Sequence, residues 1–156
     1  MAEVMFYHLT ETALEGALPG LLRRSRDRGW RALVRAGGAG DPRRLARIDD
    51  LLWTHADGDF LPHGVAGGSH DADQPVLLTT ATGNPNGAQV LFLIDGARAD
   101  LDEAGRFSRV VLMFEAANPD GLSAARADWK AVSGAGLKAQ YWAQDAGRWV
   151  MRAESG

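Results

Sequence analysis

The sequence predicts an α/β fold: one domain, a mostly parallel twisted sheet with helices on both faces. Three observations carry this reading. Short apolar runs recur without polar alternation, as in strands covered on both sides; Gln89–Asp95 (QVLFLID) is the clearest. Between them lie segments whose apolar residues recur three and four apart, the spacing of amphipathic helices. The two kinds alternate along most of the 156 residues, as helices laid on parallel strands require. That length, with no linker, repeat or low-complexity tract, fits one domain over residues 1–156.

Taken in order, Val4–Leu9 is an apolar, aromatic strand. Thr10 is positioned to cap a helix carrying Leu14, Leu18, Leu21 and Leu22 and ending near Gly29, with Pro19 kinking it or delaying its start. Trp30–Arg35 is the second strand. Asp41-Pro42 is a cap and first-turn pair for a helix through Leu45, Ile48, Leu51, Leu52 and Trp53. The segment 55–74 lacks periodicity and reads as a long loop, a length often put to functional use. Pro75–Thr80, Gln89–Asp95 and Phe107–Phe114 are further strands, with a turn at Gly83–Gly87 and a short helix or turn at Asp100–Gly105. Asn118-Pro119-Asp120 starts a helix that runs to about Ser133, where Gly134 and Gly136 stop it. The aromatic tail (Tyr141, Trp142, Trp149) is expected to fold back onto the sheet.

Composition excludes several classes. There are no cysteines, so a disulfide framework, a thiol nucleophile, a Cys-zinc site and Fe–S chemistry are ruled out, and a cytoplasmic protein is expected. No apolar run is long enough to span a membrane, and the first residues lack the pattern of a signal peptide. The net charge of −3 gives no global cationic field for DNA, which is expected as an indirect partner only. Arginines crowd the first third nonetheless: Arg23, Arg24, Arg26, Arg28, Arg31, Arg35, Arg43, Arg44 and Arg47 suggest a basic N-terminal surface.

Four features invite a chemical reading. The Gly37–Gly40 loop lies between strand and helix, where a phosphate could sit. It matches neither the P-loop nor the dinucleotide fingerprint, and Asp41 would repel a phosphate. His55, Asp57, Asp59, His63, His70, Asp71 and Asp73 are potential metal ligands, but at spacings of no known site, so neither a metal nor a cofactor is expected. His63 has no nucleophile partner that spacing nominates, and no catalytic residue emerges. Trp53, Phe60 and Pro62 form either a satellite cluster under the long loop or a semi-exposed anchor for another protein.

The helix after Asn118 is the fourth. At about 100° per residue from Leu122, Ala125 falls near about 300°, Trp129 near about 340° and Val132 near about 280°, making the buried stripe. Arg126 at about 40° and Lys130 at about 80° flank it. Trp129 therefore borders both the core and a two-cation strip, as suits an aromatic side chain joined to a carboxylate. The alternative is a core indole beside two solvated cations.

The ordering of these blocks resembles the chi-subunit family of bacterial DNA polymerase III. The resemblance rests on Phe6-Tyr7-His8-Leu9, Ile48-Asp49-Asp50-Leu51-Leu52-Trp53, Phe60-Leu61-Pro62-His63 with Val65-Ala66-Gly67, and Ala125-Arg126-Ala127-Asp128-Trp129-Lys130. It implies a nucleotide-binding-like, Rossmann-like sheet without a nucleotide site and a non-catalytic subunit of the polymerase holoenzyme. Such a subunit links the clamp-loader assembly, through its psi subunit or an equivalent, to single-stranded DNA-binding protein. By this resemblance Arg126, Trp129 and Lys130 hold that protein's acidic C-terminal tail, and Trp53, Phe60 and Pro62 face the clamp-loader partner. Leu122 stands where the family often has another lysine, Trp129 where a tyrosine is common, and Gly134 and Gly136 loosen the segment after the helix. The alternative class is a ligand-binding protein or enzyme using the Gly37–Gly40 and His63 region at the carboxyl ends of the strands.

Overall fold

The computed structural model describes residues 2–37, 42–54 and 61–155. One eight-stranded sheet has the order β3-β4-β2-β5-β6-β1-β7-β8. Its strands are β1 (Glu3–Leu9), β2 (Ala32–Ala36), β3 (Gly64–Val65), β4 (Val76–Thr79), β5 (Val90–Ile94), β6 (Arg109–Glu115), β7 (Lys138–Asp145) and β8 (Arg148–Ser155). Every pairing is parallel except β7 with β8. Helices α1 (Leu14–Asp27) and α2 (Pro42–Thr54) contribute to the core on one face, α3 (Leu101–Ala104) and α4 (Pro119–Gly134) to the core on the other. The predicted mostly parallel sheet with helices on both faces is the observed one, and the antiparallel β7–β8 pair makes it mixed.

Side-chain alternation in β1 makes the two cores. Met5 and Leu9 pack with the α1 and α2 leucines, while Val4 and Phe6 pack with Ala125 and Val132 of α4. Strand β5 is buried throughout Val90–Ile94, which explains its unbroken apolar run. Fully burying side chains such as Phe6, Phe92 and Leu33 contributes roughly 2 kcal/mol each.

Several local expectations are corrected. Helix α1 starts at Leu14 with Ala13 as its uncapped first boundary, because the Thr10 hydroxyl donates instead to the carbonyl of Gln144, 2.9 Å away. Pro19 lies inside the helix and is buried. The loop 55–74 contains the two-residue strand β3 and a 3-10 turn at Asp71–Asp73. The aromatic tail forms the β7–β8 hairpin, extending the sheet rather than covering it. Asn118 caps α4 as expected, its side-chain oxygen accepting from the Gly121 amide. Asp41, the expected cap of α2, and Gly38–Gly40 lie outside the described residues.

The arginine-rich third is not a uniform basic surface. Arg35 is buried and donates to both carboxylate oxygens of Glu103, at 2.9 and 2.8 Å. Arg31 ties together the carbonyls of Ala72 and Asn86, and Arg26 holds the carbonyl of Trp30. Arg44 bridges Asp95 and Glu15 at the carboxyl edge of the sheet. Burial alone would raise the Glu15 pKa, but the Arg44 guanidinium overrides it and holds the carboxyl below its ordinary value. These cations stitch elements together and are not available as one binding face.

Candidate functional site

Helix α4 packs on β6 and β7. Its register buries Ala125 and Val132 and leaves Leu122 and Trp129 partly buried, on the margin of the core. Trp129 meets Phe6 edge-on, with ring centroids 5.4 Å apart, and Tyr141 edge-on at 6.1 Å. Arg126 and Lys130 lie one turn apart beside it, Arg126 exposed and Lys130 exposed. Neither pairs with a carboxylate among the described residues. Asp128, on the opposite flank, is engaged by Arg98. The three residues expected to act together are thus neighbours on one flank of α4.

The sheet adds a part that the helix alone does not announce. Phe6 stands beside Tyr141, and His8 beside Phe114, in the strand register. The His8 ring stacks on Phe114 at 4.8 Å, and its Nδ1 lies 2.8 Å from the Tyr141 hydroxyl. The His8 Nε2 is buried without a hydrogen-bond partner among the described residues. Burial lowers the His8 pKa, and the Arg126 charge lowers it further. Burial raises the Tyr141 pKa against the opposing pull of Arg126. Arg126 therefore stands within electrostatic reach of a half-buried aromatic bed of Trp129, Tyr141, Phe114 and His8. The two-residue alternation of Phe6 and His8 in β1 is the sequence signal for their shared face; the contribution of β7 needs the hairpin.

The second expected surface lies at the other end of the sheet. Trp53, in the last turn of α2, is 54% exposed, and its ring packs 4.6 Å from that of His63. Pro62 is partly buried, and Phe60 lies outside the described residues. His63 is buried, with Nδ1 2.7 Å from the Leu61 carbonyl and Nε2 3.0 Å from the Asp49 carboxylate. The imidazole thus fastens the segment after Leu61 to α2, and both its nitrogens are occupied.

At the carboxyl ends of β1 and β6, the described cleft between Leu9, Asp95, Glu115 and Asn118 measures about 40 Å³, against the roughly 300–1,000 Å³ of small-molecule sites. Gly37 has a packing reason: a Cβ there would come within 2.6 Å of the Asp95 carbonyl and the Ala97 nitrogen. Among the described residues no group of three His, Asp or Glu could hold a metal ion; His55, Asp57 and Asp59 lie outside them. No helix among the described residues is long and apolar enough to cross a membrane.

Comparison with known proteins agrees with the motif blocks. The family model described as "DNA polymerase III chi subunit, HolC" matches residues 1–140. This chain belongs to the DNA polymerase III chi-subunit family. It is also 35% identical over 54 residues to a probable DNA polymerase III subunit chi of Rickettsia prowazekii (strain Madrid E). That match covers 35% of this chain and 33% of the relative's length. The family is an accessory subunit of DNA polymerase III and not its catalytic one. The match ends inside β7, so β8 lies beyond it.

Proposed function

We propose that this chi-family chain is a cytoplasmic, single-domain adaptor (residues 1–156) that links the clamp-loader assembly to single-stranded DNA-binding protein. Arg126 and Lys130 pair with carboxylates of that protein's acidic C-terminal tail, and Trp129 receives its terminal aromatic side chain. The observation carrying this reading is two cations without carboxylate partners among the described residues, beside a partly buried indole whose edge rests on Phe6 and Tyr141. Charged groups near the surface speed encounter, while the apolar end supplies the slower-dissociating contact. A multimeric partner presenting several tails would add avidity. At the other end of the sheet, Trp53 and Pro62, with Phe60, face the psi subunit or its equivalent. An exposed tryptophan backed by a buried, doubly hydrogen-bonded His63 is a rigid anchor suited to such a contact.

Calorimetry of the full chain with an acidic peptide ending in Phe tests the tail site at low and moderate salt. Binding is expected to weaken with salt and to vanish when the terminal Phe is removed. Arg126→Glu is expected to lower affinity by about tenfold or more, since it converts attraction into repulsion. Unchanged affinity in a folded Arg126→Glu protein overturns the assignment.

A further inference from the structure

The sheet face opposite α4 carries a second basic and aromatic surface. The C-terminal half of α1 borders a groove of about 340 Å³ lined by Tyr7, Leu21, Arg24, Arg28, Phe92 and Arg109, with Asp27 at its rim. The floor is aromatic and the rim is guanidinium. Arg28 lies 4.3 Å from the Trp30 ring centroid and Arg109 5.2 Å from it, so Trp30 holds both cations in place. Arg109 is paired with Glu3, and Asp27 with Arg23. Arg24 and Arg28 are exposed and have no carboxylate partner among the described residues. Tyr7 lines the same groove, and burial raises its pKa against the pull of Arg109 and Arg24.

The aromatic surface continues past the groove. Tyr7 lies parallel to Trp142 of β7, with centroids 6.3 Å apart, and edge-on to Trp149 of β8 at 4.8 Å. Met151 faces the same side, opposite Trp142 in register, and is 43% exposed. Helix α1 packs on β2 and β6, leaving this ring platform partly open at the edge of the sheet.

We propose that this surface binds single-stranded nucleic acid. One phosphate is held by Arg24, Arg28 and the Tyr7 hydroxyl, its base enters the groove, and neighbouring bases lie over the Trp142–Trp149 platform. A polymer repeating charge and ring matches a charged groove followed by a run of rings. An acidic peptide with one aromatic end would use the groove alone and leave the platform idle, as would a free nucleotide. The residues involved come from positions far apart in sequence, from Tyr7 to Met151, and are brought together by the sheet. On this proposal the chain touches single-stranded DNA directly, in addition to the expected indirect link.

Fluorescence anisotropy of a short labelled oligothymidylate with the full chain tests this. Neutralising one phosphate predicts a log–log salt slope of about −0.7. Arg24→Glu with Arg28→Glu, both at exposed positions, is expected to weaken binding by about tenfold or more and to flatten the slope. Trp149→Ala is expected to weaken it by roughly tenfold through lost stacking, and thymidine monophosphate to bind far less well. Arg126→Glu is expected to leave oligonucleotide binding unchanged, so this proposal and the tail site fail on different variants and different probes. Circular dichroism of each variant confirms its fold. No binding at low salt overturns the proposal. So does binding indifferent to the Arg24 and Arg28 charge reversals, or displacement of the oligonucleotide by the acidic peptide when Arg126→Glu is already present.

Discussion

His8 sits where burial and the Arg126 charge both disfavour its protonation. Its pKa in the folded chain is below the ordinary value of about 6.5. The neutral ring is therefore part of the native state, and its stabilising contribution is present above about pH 6.5 and declines as the medium is acidified below that. Arg126→Ala is expected to raise the His8 midpoint, read from its imidazole resonances by NMR. A bound carboxylate-rich tail should move it in the same direction by offsetting the same charge, whereas a tail docking elsewhere would leave it still. Glu103 shows the ordinary acidic case. The Arg35 guanidinium holds its carboxyl below the usual range, so this pair stabilises the fold above about pH 4.3 and ceases to do so as pH falls through the depressed value. Glu103→Gln leaves a buried arginine under-compensated and is expected to cost about 3 kcal/mol in denaturant unfolding.

Elements differ in how openly the chain announces them. Strands β1, β4, β5 and β6 are legible because burial on both faces demands continuous apolar runs, and α4 because Asn118, Pro119 and Gly136 bracket a regular stripe. Asn118→Ala is expected to cost about 1 kcal/mol, measurable as a lowered Tm. The start of α1 escapes the sequence because Thr10 has a long-range partner in Gln144, which no local pattern encodes. The β7–β8 hairpin reads only as an aromatic tail, since Lys138–Asp145 mixes polar and aromatic residues without a clean apolar run. Strand β3 is too short to carry any periodicity. Of the candidate site, the grouping of Arg126, Trp129 and Lys130 is legible from helical spacing, but His8, Phe114 and Tyr141 require strand register. Gly37 reads as part of a flexible loop and is instead a close backbone approach; Gly37→Ala is expected to destabilise the chain by about 2 kcal/mol or more.

Across the whole molecule, the two proposed protein-binding surfaces stand far apart. Trp53 and His63 lie by β3, whereas Trp129 lies over β1 and β7, five to six strand spacings or about 25–30 Å away in sheet order. At that separation the binding costs of Trp53→Ala and Arg126→Glu are expected to add within about 0.5 kcal/mol. A double variant losing much more than the sum, with its fold intact, would reveal coupling through the sheet.

The ends of that sheet have a colloidal consequence. One boundary is a two-residue strand and the other is β8, with a register irregularity opposite Tyr141 and Trp142 and with Arg148 and Arg152 along it. A short edge on one side and a kinked, cationic one on the other make poor templates for strand-by-strand growth. Ending the chain after Asp145 would strip that guard and leave the backbone of β7, with Tyr141 and Trp142, facing solvent. Such a shortened chain is expected to precipitate at concentrations where the full chain remains dispersed, whatever its affinity for any partner.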